Sequence, residues 1–159
     1  MKKFNLDQTD HQILNMLVEN ARTPFTDIAK KLQVSAGTIH VRVKKMEDEG
    51  LIKGSTLILD YEKMNFDFIA HVGITIENTS QIKSIISSLE KIPYVTIAYI
   101  TTGQFNVFCK IRTRDTKQAK EIIFSIDEIA GVKRTETMIS MEECINDKSR
   151  MMNDLFKIK

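Results

Sequence analysis

The sequence predicts an α+β protein of two small domains, because the spacing of its apolar residues changes part-way along the chain. From Leu6 to about Met46 apolar residues recur at helical intervals, whereas after residue 67 strand-like alternation and helical spacing take turns. The 159 residues are 42% hydrophobic and 28% charged, which is ordinary for a globular protein. The net charge is only +2, so any argument for a polyanionic partner must be local.

Three short helices are predicted in the N-terminal part. The first begins near Asp7 or Thr9, either of which can cap a helix, and it runs to Asn20. Pro24 suits the first turn of the second helix, where its missing N–H costs little. The inner face of this second helix consists of Ile28, Ala29 and Leu32.

The third helix is capped by Ser35 and ends near Gly50, a residue free to adopt the left-handed conformation. Only a few residues separate it from the second helix, which is the helix-turn-helix arrangement that can place the later helix in a DNA groove. The stretch LIKGSTLIL, residues 51–59, is rich in β-forming residues and predicts a ribbon. We therefore predict a winged helix-turn-helix domain over residues 1–59.

The C-terminal part predicts a ferredoxin-like domain over residues 68–142, joined by a linker at 60–67 and followed by a tail at 143–159. The predicted elements are strands near 68–77, 95–102, 106–113 and 132–141, and helices through 82–89 and 119–129. The order β-α-β-β-α-β gives an antiparallel sheet with both helices on one face. The other face needs a cover, so we expect a homodimer or larger assembly.

Rotation by 100° per residue separates two sides of the third helix. Ile39, Val43 and Met46 form a core-facing seam, and the outward side lies around Val41. Between Lys30 and Met46 there are five Lys or Arg and no acid. Lysines neutralise phosphates, hydroxyls and amides near the helix start bind phosphate oxygens, and valine can contact a thymine methyl. The candidate contacts to double-stranded DNA are Ser35, Ala36, Gly37, Thr38, His40, Val41, Arg42, Lys44 and Lys45.

Other interpretations of these residues stay open. The third helix could be an ordinary lysine-rich surface, and the helical domain could bind a protein instead of DNA. Arg42 borders the core seam, so an ion pair with Glu47, Asp48 or another acid competes with a phosphate contact. An enzyme is not predicted, because no nucleophile-base-acid set, metal-ligand spacing or phosphate-binding glycine loop is present in the sequence.

Several further expectations follow from what the sequence lacks. Cys109 and Cys144 lie far apart and outside any Cys-x-x-Cys pattern, so we expect buried or inert thiols and neither a disulfide nor a zinc site. No metal and no resident cofactor are predicted. Neither a signal peptide nor a membrane-spanning segment is evident, so we expect a cytoplasmic protein without a membrane partner.

Three stretches carry a resemblance to a known family over residues 5 to 145. They are NARTPFTDIAKKLQVSAGTIHVRVKKMEDEGLIKG, TTGQFNVFCKI and RTETMIS. Together with the β-α-β-β-α-β order they resemble the Lrp/AsnC (feast/famine) transcription regulators. The pieces NART, GTIHVRV and ITTG look closest to the asparagine-responsive AsnC branch.

The resemblance implies dimers that bind adjacent major-groove half-sites and assemble further, often to octamers, around which DNA can wrap. It also implies an amino-acid effector in a cleft between C-terminal domains of neighbouring dimers, with asparagine as the first choice. An effector-independent architectural regulator of the same fold is the alternative.

The turn after the second strand departs from the family. Where most members have Gly-Asp-Tyr-Asp, this chain has Gly103, Gln104, Phe105 and Asn106, so both acids are amides. An amide binds an ammonium group more weakly than a carboxylate does, so the change marks amide specificity or a loss of sensing. By position, the effector-site candidates are Tyr99, Thr101, Thr102, Gly103, Gln104, Phe105, Asn106, Thr135 and Thr137. The alternative for this set is an ordinary β-hairpin with exposed threonines.

Overall fold

The structure is a computed structural model that describes residues 5–147, 150 and 151. Two compact units divide the described residues: one comprises residues 5–58 together with 145–147, 150 and 151, and the other comprises Leu59–Cys144. For the tail, the sequence suggests a short helix that packs Met151, Met152, Leu155 and Phe156 on a neighbour, and this segment lies largely outside the described residues.

The first unit contains the three predicted helices. They are α1 (Gln8–Glu19), α2 (Phe25–Leu32) and α3 (Ala36–Asp48). Asp7 caps α1 and Ser35 caps α3, each by accepting the backbone N–H three residues later. Gly50 takes φ 72° just after α3, as the left-handed end of a helix requires. The predicted helices and both N-caps are confirmed.

The core of the first unit joins all three helices. It consists of Ile13, Leu14, Ile28, Ala29, Ile39, Val43 and Met46. The last three are the predicted seam of α3, and none of them is more than 5% exposed. Burial of side chains of this size stabilises by about 1.5–3 kcal/mol each, so the seam decides which side of α3 faces solvent.

The second unit has the predicted β-α-β-β-α-β order. Its elements are β1 (Phe68–Ile76), α4 (Ile82–Leu89), β2 (Val95–Ile100), β3 (Val107–Thr113), α5 (Thr116–Asp127) and β4 (Val132–Ile139). The strands lie in the order β2-β3-β1-β4, and all neighbours are antiparallel. The ferredoxin-like prediction is confirmed.

The two faces of this sheet differ in cover. Val72, Cys109 and their neighbours on one face pack with Ile85, Leu89 and Ile126 of the helices. The other, which we call the open face, carries Ile97, Tyr99 and Met138, exposed by 38%, 58% and 44%. An apolar surface of this kind is a typical interaction site.

The C-terminal segment covers one end of the open face. The backbone N–H of Ser140 donates to the carbonyl of Ile69 at 2.9 Å. Glu143 then forms an ion pair with Lys110 and lies 3.7 Å from Arg112. The guanidinium of Arg112 also donates to the Phe66 carbonyl, so the segment before β1 is tied to the same place. Residues 60–67, predicted as a linker, thus group with the second unit.

The predicted ribbon at residues 51–59 is not formed as a strand. The chain from Lys53 to Asp60 has no regular secondary structure, and the side chain of Ile58 is fully exposed. A strand satisfies its backbone groups by pairing with another strand, and among the described residues each of the four strands pairs only within the sheet β2-β3-β1-β4. The residues of this stretch therefore favour a strand, but no neighbouring strand pairs with them in the described part of the chain.

The two cysteines have different environments. Cys109 is fully buried in the sheet core, and burial raises the pKa of its thiol to about 11. It is therefore a neutral, unreactive thiol at pH 7. Cys144 is exposed, so the expectation of a buried thiol is correct only for Cys109.

We expect Gly73→Ala to destabilise the second unit. A Cβ at Gly73 would lie 2.6 Å from the ring of Phe105, so the ring must move. Overpacking of this kind costs about 1–3 kcal/mol, measurable as a lower urea midpoint by circular dichroism. Gly37→Ala is the matched control, because its Cβ would meet nothing closer than 3.6 Å. Equal midpoints for the two variants would contradict the close approach of Phe105.

Candidate nucleic-acid interface and effector turn

All the predicted DNA-contact residues except Arg42 are exposed in the structure. Val41 lies at the centre of the outward side of α3 and is 68% exposed. Around it the structure exposes Ser35, Ala36, Gly37, Thr38, His40, Lys44 and Lys45. The helical rotation inferred from the sequence therefore places these side chains together.

The first turn of α3 is ordered by two hydroxyl groups. The Ser35 hydroxyl accepts the Thr38 N–H at 3.0 Å, and the two hydroxyl oxygens lie 2.8 Å apart. The amides of Ala36 and Gly37 belong to the helix start, where no intrahelical acceptor exists. Such amides, together with the positive end of the helix dipole, suit a phosphate oxygen.

His40 also contacts the preceding helix. Its ring meets the ring of Phe25 edge to face, with centroids 6.2 Å apart and planes at 77°. Phe25 is the first residue of α2. His40 thus helps to fix the angle between the two helices of the helix-turn-helix, in addition to being exposed.

Arg42 differs from the other candidates because it forms ion pairs. Its Nη1 lies 2.6 Å from Oδ2 of Asp7 and 2.8 Å from Oδ1 of Asp10. Asp10, and secondly Asp7, raises the pKa of Arg42. The partners are neither Glu47 nor Asp48, but the structure favours the ion-pair alternative over a phosphate contact.

An open groove lies between the start of α1 and the outward side of α3. Asp7 and Asp10 line one side, and Thr38, Arg42 and Lys45 line the other. The pKa of the Asp7 carboxyl is below its usual 3.8, firstly because it accepts the backbone N–H of Asp10 and secondly because of Arg42. The Asp7 carboxyl is therefore negative at neutral pH.

The turn between β2 and β3 is tied to β1 by Asn106. The backbone N–H of Asn106 donates to the Ile74 carbonyl at 2.9 Å, and its side-chain Oδ1 accepts the Ile76 N–H at 3.1 Å. The Thr101 hydroxyl donates to the Phe105 carbonyl at 2.6 Å. Gly103 has φ 122°, which favours glycine. The rest of the turn, Thr102 to Gln104, is exposed.

Phe105 leaves the turn to cover Gly73 on the open face. Its ring centroid lies 6.3 Å from that of Phe108, which in turn stacks on His71 at 5.6 Å. Sequence reasoning missed this stack. A glycine inside an alternating strand often marks a close approach by another group, and Gly73 is such a residue.

The structure does not bring all the effector candidates together within one chain. Tyr99 lies on the open face of β2, at one edge of the sheet. Thr135 and Thr137 lie on the helix-covered face of β4, at the opposite edge. The Thr135 hydroxyl donates to Asp127 of α5 at 2.7 Å. A site using all of these residues would need more than one copy of the chain.

Two absences hold for the part of the chain that the structure describes. No group of three His, Cys, Asp or Glu side chains there could hold a metal ion. No helix among those residues is both long and apolar enough to cross a membrane.

Comparison with known proteins accounts for both units. Residues 6–53 match the winged helix-turn-helix DNA-binding family, and residues 69–149 match the Lrp/AsnC ligand binding domain. The regulatory protein AsnC of Haemophilus influenzae is 38% identical over 142 residues, covering 89% of this chain and 95% of the relative. The chain belongs to the Lrp/AsnC family. It is a DNA-binding transcriptional regulator of the AsnC branch with a ligand-binding domain.

Solved structures agree with this assignment. Escherichia coli AsnC superimposes with a TM-score of 0.85 at 33% identity, covering 90% of this Lrp/AsnC chain and 97% of that one. A Neisseria meningitidis transcriptional regulator in complex with L-Met has a TM-score of 0.87 at 22% identity, covering 95% and 99%. The second similarity concerns the fold alone.

We expect Asp7→Asn to alter the acid stability of the first unit. The pKa of Asp7 is lower in the folded state, so the ionised carboxylate contributes to stability above the usual pKa of 3.8. This stabilisation is lost as the pH falls through the pKa of the folded state. Asparagine keeps the helix cap but cannot form the ion pair with Arg42. The wild-type advantage in urea midpoint should therefore shrink between pH 5 and pH 3. A constant difference over that range would refute this linkage.

Proposed function

We propose that this regulator binds its operators through the outward side of α3 and responds to an amino acid bound between copies of its second unit. The observation that carries the DNA part is the exposed basic side of α3, within the acid-free window from Lys30 to Met46, in a segment that matches a DNA-binding family. We expect the protein to act in the cytoplasm, where its DNA target would be.

The proposed DNA contacts divide by chemistry. Lys44 and Lys45 would neutralise phosphates, and the hydroxyl groups and amides from Ser35 to Thr38 would bind phosphate oxygens at the helix start. Val41, at the centre of the exposed side, would contact a base edge such as a thymine methyl. His40 would contact DNA from a position fixed by Phe25.

The proposed effector site lies at the turn from Thr101 to Asn106. Support for an amino acid comes from the Lrp/AsnC ligand-binding match and from the L-Met complex of the Neisseria relative. Tyr99 and Thr135 lie at opposite edges of the sheet, which supports a site completed by a second chain. Thr137 shares the edge and face of Thr135.

The side-chain amides of Gln104 and Asn106 differ in how many of their hydrogen-bonding groups are left for a ligand. Asn106 already uses Oδ1 to accept the Ile76 N–H, so its NH₂ group is the part left for a ligand. Gln104 is exposed and can offer both a carbonyl and an NH₂ group. Amide groups pair well with another amide, which supports asparagine as the first choice. The same change supports an effector-independent regulator as the alternative, because no carboxylate remains at either position for an α-ammonium group.

The proposed assembly uses the open face of the sheet. Ile97, Tyr99 and Met138 are exposed there beside the stack of Phe108 on His71. A second copy of the same face would cover these side chains, giving a dimer that can assemble further, up to an octamer.

We expect Lys44→Ala to reduce the salt dependence of binding to the protein's own promoter DNA. Each lysine that neutralises a phosphate contributes about one unit to the slope of log affinity against log salt concentration. Fluorescence anisotropy at several salt concentrations measures this slope, and Lys45→Ala should lower it similarly. Lys83→Ala, an exposed lysine of α4, is the control and should leave the slope unchanged. Absent or salt-independent wild-type binding would refute the proposed DNA contact.

We expect an amino acid, asparagine first, to raise the melting temperature of the assembled protein. A ligand at tenfold to hundredfold its Kd stabilises by about 1.4–2.7 kcal/mol. Met138→Glu would place charge on the open face, so it should lower the sedimentation coefficient and abolish the ligand-induced shift. Ser87→Glu on α4 is the matched control. If none of the twenty amino acids moves the melting temperature, the effector-independent alternative is favoured.

A further inference from the structure

Arg42 links the start of α1 to the middle of α3. We propose that Arg42 is a positioning residue, which fixes the rotation of α3 through Asp10 and Asp7 and makes no contact with DNA phosphate. This inference rests on the proposed binding of DNA by α3.

The geometry of the link is rigid on the acidic side. Asp7 accepts the Asp10 N–H at 2.8 Å, and Asp10 accepts the Asp7 N–H at 3.3 Å, which is a capping box. The side chain of Asp10 is only 12% exposed. Arg42 therefore binds two carboxylates that are themselves held by the first turn of α1.

The local charge opposes a phosphate at Arg42. One guanidinium charge faces two carboxylates, so the cluster carries a net charge of −1 when both acids are ionised. Its Nη1 atom has two hydrogens, and both short contacts go to carboxylate oxygens. A phosphate placed here would meet excess negative charge, unlike one placed at Lys44.

The position of Arg42 lets it control the outward side of α3. It follows Ile39 by three residues and precedes Met46 by four, so it lies along the edge of the buried seam. Side-chain ends lie about 5–6 Å from a helix axis, so a roll of about 20° moves them by about 2 Å. Hydrogen bonds to base edges do not tolerate a shift of that size.

The experiment measures binding of the wild type and Arg42→Gln to the protein's own promoter and to a nonspecific duplex, over a range of salt concentrations. If Arg42 is a positioning residue, Arg42→Gln should weaken promoter binding by about tenfold, which is the effect of a lost base contact. Nonspecific affinity and the salt slope should be unchanged, because phosphate neutralisation is intact. Loss of folded protein would instead weaken both duplexes in proportion.

Lys44→Gln is the matched control for a phosphate contact. It removes one positive charge two residues further along the same helix, at an exposed position. It should weaken binding to both duplexes and lower the salt slope by about one. The contrast between the two variants separates positioning from charge neutralisation.

Asp10→Asn gives the sharpest outcome. It removes a negative charge, so a simple electrostatic effect, or release of Arg42 toward phosphate, would tighten DNA binding. The positioning role predicts weaker promoter binding instead, by a factor similar to that of Arg42→Gln. The double variant should be no weaker than either single variant, because both remove the same interaction.

Asp7→Asn keeps the inference testable if the other variants fail to fold, since asparagine retains the cap. It should weaken promoter binding, though less. Asp27→Asn, an exposed acid of α2, controls for the loss of a negative charge.

A reduced salt slope in Arg42→Gln, or tighter promoter binding in Asp10→Asn or Asp7→Asn relative to Asp27→Asn, would overturn the inference. Failure of the wild type to bind promoter DNA would refute the proposed function instead.

Discussion

Burial of one side of α3 is the constraint on which the proposed DNA-binding surface depends. Ile39, Val43 and Met46 are held in a core shared with α1 and α2, so the residues between them must face solvent. Exposure of Val41 is then a consequence of helical geometry and needs no separate cause. The lysines and the capped first turn share that surface because they belong to the same rigid helix. Apolar packing thus sets which side of α3 faces solvent, and the ion pairs of Arg42 are proposed to fix its finer rotation.

Local patterns allowed much of the fold and of the exposed side of α3 to be predicted. Helical and strand periodicities follow from neighbouring residues, so both domains and the seam of α3 could be inferred. The partners of Arg42 could not, because they lie 32 and 35 positions away and only the packing of α1 on α3 brings them near. The prediction of a ribbon at residues 51–59 was wrong for a related reason. The residues of this stretch favour a strand, but a strand forms only where a neighbouring strand pairs with it.

In the turn from Thr101 to Asn106, one proposed effector residue also has a structural role. Its position in the family pattern marked Asn106 as an effector candidate, but the sequence gave no indication that its side chain closes a hydrogen bond on β1. An aspartate at this position could accept the same N–H, so the amide preserves the turn while removing a charge. Tyr99 and Thr135 could be named from the sequence, but their separation across the sheet required the strand order.

The C-terminal segment has a practical consequence for work on this regulator. Ser140 and Glu143 hold the chain against Ile69, Lys110 and Arg112, at the end of the face proposed for self-association. Shortened versions ending before residue 140 would lose the carboxylate that lies beside Lys110 and Arg112 on this face. Their oligomeric state would then reflect the truncation as much as the native interface. Purification tags are accordingly better placed where they do not displace this segment.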